Sequence, residues 1–561
     1  MKYCLSIILF LGTLHLHGQS SNAPLNPDYY HLLDRYEVLY GQNPQGFQSI
    51  FKGYTRSSIG LFIDSLVKSD IKYSSRDRFN LAYLQNDNWE WTTDADYISK
   101  KTFLKYFYES KSDLFSHRND DLDLHINPVL YLNAGAESGT DITPWVNTRG
   151  VEIRGVIDNK VGFYSFLGEN QAVFPTYVRQ HISERGVVPH EGFKKNFKDN
   201  GYDFFTVRGY ISFQVSKHIN TQFGHDRFFI GNGYRSMILS DFAPPYLFLK
   251  INTNIGPVQY TNLFTQMYAD VNGRLGGSLS GIRYPNKYVV LHHLSLNVTK
   301  TLNVGVFESV AYGREDSTGY NGFEINYLNP VIFYRAIEQQ NGSTDNVIVG
   351  ADFKWNVARK FSFYGQLVLD EFKLNEVRSG DGWWANKYAF QLGAKYINVG
   401  GIDNLDLLIE HNYSRPYMYS HQNIYNNFGH YLQEIAHPLG ANFKEWIGEI
   451  RFQPLDKFTF VFRTFITKYG GDEDLSTNWG GDIFKDYRTR EQEYGNETGQ
   501  GVQTDLTMFD FTTIYHFRHN LFIDLKYIYR DLTSGIPARN SNTKFLSFAL
   551  RWNIPQRLHE F

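Results

Sequence analysis

The chain has 561 residues, and 55 Lys and Arg stand against 58 Asp and Glu for a formal charge of −3 at pH 7. That balance excludes a nucleic-acid binder and a polyacidic scaffold. A single cysteine, Cys4, excludes a disulfide framework, and the lack of any apolar run of about 18 residues excludes a bundle of membrane-spanning helices.

In chain order, Lys2 precedes an apolar stretch too short to cross a bilayer, and Gly18-Gln19-Ser20 follows as a small-x-small site. Residues 1–20 are therefore expected to be a secretory signal peptide. Cys4 lies before the apolar core, where it is a poor lipoprotein anchor. An exported chain without spanning helices belongs to the periplasm, the outer membrane or the medium.

Residues 21–120 have helical texture. Tyr29, Leu32, Leu33, Tyr36, Val38 and Leu39 follow helical spacing after Pro27. Ile59, Phe62, Ile63 and Leu66 repeat it, as do Phe79, Leu81, Ala82 and Leu84 behind Ser74-Ser-Arg-Asp77, a capping-box pattern. The segment predicts a small helical domain, which either packs on itself or serves a partner such as gliding or secretion machinery.

Residues 121–561 read as strands. Candidates cover 122–133, 145–157, 160–170, 202–216, 219–227, 246–255, 257–270, 287–298 and 301–313. They continue over 345–357, 360–371, 387–399, 404–415, 443–453, 457–469, 505–517, 520–531 and 543–554. In the last one Leu546, Phe548, Leu550, Trp552 and Ile554 point one way, and Ser547, Ala549, Arg551 and Asn553 the other. One greasy wall and one wet wall suit a barrel with lipid outside and water within. Trp446, Ile450 and Phe452 likewise oppose Glu445, Glu449 and Arg451, so charges of both signs face the lumen and predict a filled one.

Short turns at Asp158–Lys160, Ser216–His218, Gly256–Pro257, Thr299–Thr301, Ala358–Lys360, Gly400–Asp403, Gln453–Asp456 and Arg518–Asn520 alternate with longer links. All short turns thus lie at one end, which is periplasmic in bacterial barrels. The fold class expected is all-β: a transmembrane antiparallel β-barrel of roughly eighteen strands. The helical domain and both termini, including Phe561, would be periplasmic, and inward-folded loops would plug the lumen.

The distinctive stretches fall in the long links. They are Gly224–Asp241 closed by Phe242-Ala-Pro-Pro245, Asn326–Gln339 with a helix begun at Asn329-Pro330, and Ala436–Glu445. On Asp226–Ser240, on Asn329-Pro330 with Arg335 and Glu338, and on His437–Asn442, the chain resembles the Wzi-type capsule assembly proteins, including gliding-motility barrels of the RemB type. Arg76–Leu81 and Asn86–Trp89 add to it. The resemblance implies an eighteen-stranded outer-membrane barrel with a periplasmic helical domain and an extracellular lectin face. Where the capsule branch carries a Trp pair, Phe228-Phe229 stand here, which points to the gliding or general surface-glycan branch.

Sugar recognition needs planar apolar faces beside polar groups, because pyranose rings have apolar C–H faces and a hydroxyl rim. Trp383-Trp384, Tyr417 with Tyr419, and Trp479 with Asp482 supply such pairs. The glycan-binding candidates are Asp226, Arg227, Asn232, Tyr234, Arg235, Trp383, Trp384, Tyr417 and Trp479. Structural readings compete with them: a plug-fixing ion pair for Asp226, Arg227 and Arg235, and girdle or loop-core packing for the aromatics. Asn329, Arg335, Glu338, His437 and Asn442 are expected to structure the plug. Asp472-Glu-Asp474 lacks the ligand spacing of a calcium loop. No H-E-x-x-H or G-x-S-x-G motif occurs, so no catalytic residue, metal or cofactor is expected. The expected function is binding or organising surface polysaccharide, for capsule or gliding; a porin-like channel for small solutes is the alternative.

Overall fold

The computed structural model describes residues 19–561 apart from 276–279, 282, 314, 317–318, 321, 332 and 343–344. All but the last two residues of the expected signal peptide lie outside the described residues.

Eighteen long antiparallel strands close into a barrel. They are β1 (Leu122–Glu137), β2 (Trp145–Ile157), β3 (Val161–Val173), β4 (Gly201–Gln214), β5 (Ile219–Asp226) and β6 (Tyr246–Ile255). Next come β7 (Val258–Tyr268), β8 (Asn286–Asn297), β9 (Leu302–Tyr312), β10 (Asn346–Val357), β11 (Phe361–Leu369) and β12 (Tyr388–Tyr396). The last six are β13 (Leu405–Ser414), β14 (Phe443–Leu455), β15 (Phe458–Gly471), β16 (Val502–Arg518), β17 (Leu521–Ser534) and β18 (Ser541–Trp552). Closure runs through β1 and β18, from Leu130 opposite Trp552 to Glu137 opposite Phe545.

The turn chemistry explains the hairpins. Asp158 and Asn159 take φ of 52° and 54°, and Ala358 and Arg359 both 55°. Paired left-handed residues match the twist of two strands joined tightly. Asn tolerates this conformation; Ala358 and Arg359 hold it against a Cβ clash.

Facing follows the alternation. Leu546 and Phe548 are exposed on the outer wall, while Ser547, Ala549 and Arg551 are buried inside. Leu132, Leu167, Val207, Leu392, Ile409, Trp446, Ile466 and Leu525 extend that apolar exterior around the barrel. So much contiguous apolar surface requires a lipid coat. Inside, Arg463 pairs with Glu449 at 2.7 Å, Lys526 with Asp510 at 3.0 Å and Arg551 with Asp524 at 2.6 Å.

Three helices stand at the short-turn end: α1 (Pro27–Tyr40), α2 (Arg56–Val67) and α3 (Ser75–Asp87). Asn26 caps α1 ahead of Pro27, and Ser74 and Asp77 form a reciprocal capping box on α3. Their apolar faces share one cluster that includes Tyr29, Leu33, Tyr36, Ile59, Phe62, Leu66 and Leu84. The polar face of α1 meets the inner wall. Asp28 pairs with Arg451 and Arg551, both at 2.9 Å, Asp34 with Lys395 at 2.5 Å, and Glu37 with Lys354 at 2.8 Å. Arg35 bridges Asp77 and Asp406. The helical segment therefore docks into the barrel mouth through charge.

From the other end the β5–β6 link descends into the lumen. Its Ile230 bridges Phe51 of the α1–α2 loop, with Gly231 N–H donating to Ile50 C=O at 2.7 Å, so two plugs meet inside the barrel. The β3–β4 link adds α4 (Thr176–Arg185).

Two expectations are corrected here. The described residues of the β9–β10 link do not enter the lumen. Its helix α5 (Tyr334–Asn341) lies on the outer wall, where Tyr327, Tyr334 and Ile337 pack with Phe264, Tyr288, Val290, Val310 and Tyr312. Those strand residues alternate with Val289, Leu291, Phe307 and Ala311, which belong to the internal core. Outward-facing Glu308 accepts hydrogen bonds from the N–H groups of Tyr334 and Arg335 at 2.8 and 3.0 Å. Asn329 and Arg335 are exposed there and do not structure a plug; the side chain of Glu338 lies outside the described residues.

The last residues also depart from expectation. After β18 ends at Trp552, Asn553 turns with φ 52° and the tail runs back through the lumen. Arg557 pairs with Glu191 at 2.9 Å, Tyr177 donates to His559 C=O at 2.8 Å, and Arg530 Nε to Phe561 C=O at 3.0 Å. Phe561 sits against Tyr177, His181 and Phe242 instead of at the short-turn rim.

Candidate functional site

The sequence-selected residues fall into two groups. The first lies in the lumen. Glu410 accepts from Tyr234 N–H at 2.7 Å and from Arg235 N–H at 3.0 Å, anchoring the β5–β6 link to β13. Tyr234 O–H reaches Glu560, and Arg235 pairs with Glu445 at 3.5 Å and bonds the Glu560 carbonyl. Asp226 accepts from its neighbour's N–H at 2.9 Å, and Arg227 donates to His190 C=O at 3.2 Å. Asn232 is buried, with its side-chain amide unpartnered. The ion pair fixing this plug thus runs from Arg235 to Glu445 of β14, a hydrogen bond ties Arg235 to the tail, and Asp226 takes no part in either.

His437 and Asn442 also have structural partners. His437 Nε2 meets Glu445 at 2.7 Å while its Nδ1 accepts from Leu439 N–H at 3.2 Å. Asn442, at φ 60°, donates to Gly470, Trp479 and Gln500 carbonyls at 3.1, 3.3 and 3.0 Å. It thereby ties the β14 entry to the β15–β16 loop.

The second group gathers at the long-loop end. Both indole N–H groups of Trp383 and Trp384 donate to Glu493 Oε1, at 3.1 and 3.0 Å. Arg490 lies 4.3 Å from the Trp384 ring centre, and Lys373 4.3 Å from that of Trp383. Trp384 is buried against Tyr417 and Tyr487. Tyr417, 1% exposed, donates to Asn478 C=O at 2.9 Å. These two act as loop core. Trp383 and Trp479 remain half-exposed, the latter donating to Glu473 at 2.8 Å, and Tyr494 nearby in sequence is 50% exposed. A half-exposed indole flanked by carboxylate and ammonium groups is equipped to hold a sugar face and its hydroxyls.

The loop face is rigidly backed. Arg185 of α4 pairs with Glu434 at 3.3 Å and Asp482 at 3.4 Å. Burial pushes the Glu434 carboxyl up to about 7 despite Arg185. Burial, with Arg227, drives His190 down to about 4. Asp472 is occupied by Lys485 at 2.6 Å.

Lys373 and Glu493 escaped the sequence reading because isolated loop charges read as solvated surface. Glu410 and Glu560 escaped because their partners are remote in sequence. A lone acid on the lumen face of a strand was the one available signal.

No family model and no curated protein matches the sequence. Among solved structures the chain is similar to Wzi of Escherichia coli, an outer-membrane protein involved in group 1 capsule assembly and described as a carbohydrate-binding β-barrel. The TM-score is 0.58 and the identity 13%, over 96% of this chain and 100% of that one. It is also similar to OprD of Pseudomonas aeruginosa, with TM-score 0.42 and 10% identity over 76% and 94% of the two chains. The likeness to the first is one of fold, that of an outer-membrane barrel.

Proposed function

We propose that the protein binds and organises surface polysaccharide at its long-loop face, without making or breaking bonds. That face is then extracellular, and the short turns and helices α1–α3 are periplasmic. The observation that carries the reading is a lumen filled from both ends beneath a braced loop layer presenting Trp383 and Trp479 beside Lys373, Glu493 and Glu473. A plugged barrel is a platform rather than a conduit. The carbohydrate-binding barrel of Escherichia coli with the same fold supports this direction, toward capsule or other exopolysaccharide attachment.

Glycan binding by intact cells tests it. Trp383→Ala and Trp479→Ala are each expected to weaken binding about tenfold, the equivalent of losing one ring contact of about 1–1.5 kcal/mol. Purified barrel in planar bilayers should pass no steady current. Unchanged glycan binding in both variants, or stable open-channel conductance, would overturn the reading, the latter in favour of a diffusion channel.

A further inference from the structure

The lumen keeps a cavity of about 230 Å³ enclosed by α1, the β5–β6 link and the C-terminal tail. That is many times the roughly 10–15 Å³ a single water needs. Its lining is unbalanced in charge. Among the lining acids, Asp34 is held by Lys395, Asp406 by Arg35, Glu191 by Arg557, Glu449 by Arg463, and Glu560 by Tyr234. Asp241 is the one lining acid without an ion pair. Among the described residues, three lining cations have no carboxylate within ion-pair distance: the buried Arg208 and the half-buried Arg227 and Lys52.

Arg208 is the most telling. It is 6% exposed, its side chain makes no hydrogen bond, and its guanidinium lies 4.4 Å from the Phe166 ring centre. Asp226, Glu152 and Glu191 act on it only at longer range, and Glu191 is taken by Arg557. Lys52 repeats the arrangement over Phe229 at 4.2 Å, and Arg227 spends one N–H on the His190 carbonyl while its Nε has no partner. Burying a guanidinium with no hydrogen-bond acceptor, as at Arg208, is unfavourable. A ligand anion supplies the hydrogen-bond acceptor that Arg208 lacks. The flat faces of Phe166 and Phe229 beside these cations suit a compact carbon frame with C–H faces.

We propose that this cavity binds a small organic anion of monosaccharide size, its carboxylate or phosphate held by Arg208, Arg227 and Lys52 and its carbon frame resting on Phe166 and Phe229. The site lies apart from the loop-face aromatics and stands whether or not those loops hold polysaccharide.

Overnight equilibrium dialysis of the detergent-purified full chain tests it. The probes are galacturonate and glucose 6-phosphate, with galactose and inorganic phosphate as controls. One or both organic anions should bind saturably at one per chain and about tenfold or more tighter than galactose. Arg208→Gln and Lys52→Gln should each weaken that binding about tenfold, Arg208→Lys less, and Trp383→Ala not at all. The preference between the two probes tells carboxylate from phosphate as the source. Absence of saturable binding, equal binding of galactose, indifference to both Gln variants, or binding of inorganic phosphate alone would overturn the proposal. Should a variant lose its folded, heat-modifiable gel mobility, a structure of the wild-type chain with the bound probe decides: density in the cavity upholds the site, and density elsewhere refutes it.

Discussion

The half of the plug that enters from the short turns is held chiefly by charge, whereas the half that descends from the long loops adds a packed apolar core and backbone hydrogen bonds to its Arg235–Glu445 pair. On the short-turn side Asp28, Asp34 and Glu37 of α1 reach Arg451, Arg551, Lys395 and Lys354. On the loop side Ile230, Met237, Ile238 and Leu239 join Tyr419, Phe428, Ile435 and Phe443 in one core, with Ser240 N–H donating to Ile435 C=O at 2.8 Å. The chemistry follows the origin of each half. A separate segment finds an already charged wall by long-range complementarity, while links between strands begin close to their targets and need only desolvation and backbone pairing. One lumen thus contains a docked body and an in-folded one.

Breaking the docked half should cost most. Asp28→Asn leaves the buried guanidiniums of Arg451 and Arg551 short of a shared acid, with an expected loss of about 3–5 kcal/mol. Urea unfolding followed by heat-modifiable gel mobility measures it; a loss below about 1 kcal/mol would mean that charge does not hold α1 in place.

Acid should separate the two halves. Burial, aided by Arg185 and Arg227, drives His181 and His190 down to about 3 and about 4. Their neutral forms contribute stability that is complete above the ordinary value of 6.5 and is lost as pH falls through about 4. Glu434, raised to about 7, works in the opposite sense between about 7 and 4.5, and offsets part of this loss. For Asp28 and Asp34, burial pushes the carboxyls up but Arg551 and Lys395 respectively pull them further down, below the ordinary range. Their contribution is present above 3.8 and goes only below it. Hydrogen exchange mapped by peptide should therefore show the tail and α4 loosening between pH 6.5 and 4, and α1 only at lower pH. Simultaneous release would erase the distinction.

The smallest effect expected is at a turn. Ala358→Gly relieves a left-handed Cβ clash at the cost of a looser unfolded chain, for a net gain of about 0.5–1 kcal/mol in the same urea assay. A loss would show that the turn is not strained.

The strand set was legible almost residue by residue, because each strand writes its own period-two pattern and several short turns carry left-handed residues, such as Asp158-Asn159 and Ala358-Arg359. Segment 219–227, for example, becomes Ile219–Asp226. The helices were legible from Pro27 and from Ser74 with Asp77. The candidate site was legible only as a pool of residue types. Trp383, Trp384, Tyr417 and Trp479 do share one loop layer, yet burial divides them into core and surface, and burial depends on loops far apart in sequence. The wall chosen by α5 was hidden for a different reason. In Val289-Val290-Leu291 both strand faces are apolar, so alternation is silent just where the helix docks. Outward-facing His292 and Glu308 were the clue available, since polar groups on a lipid wall call for partners. Tyr334 supplies one for each: its side-chain hydroxyl contacts His292, and its backbone N–H donates to Glu308.

The amino-acid order by itself determined how many strands form, which end carries the hairpins and which side chains face lipid, because these follow from alternation and turn conformation within a few residues. Tertiary structure alone decided that the tail returns through the lumen, that α1 spends its acids on the barrel wall, and that Arg208 is left without an ion pair. Those outcomes depend on which groups meet across hundreds of residues, where desolvation and pairing act between partners that no local pattern connects.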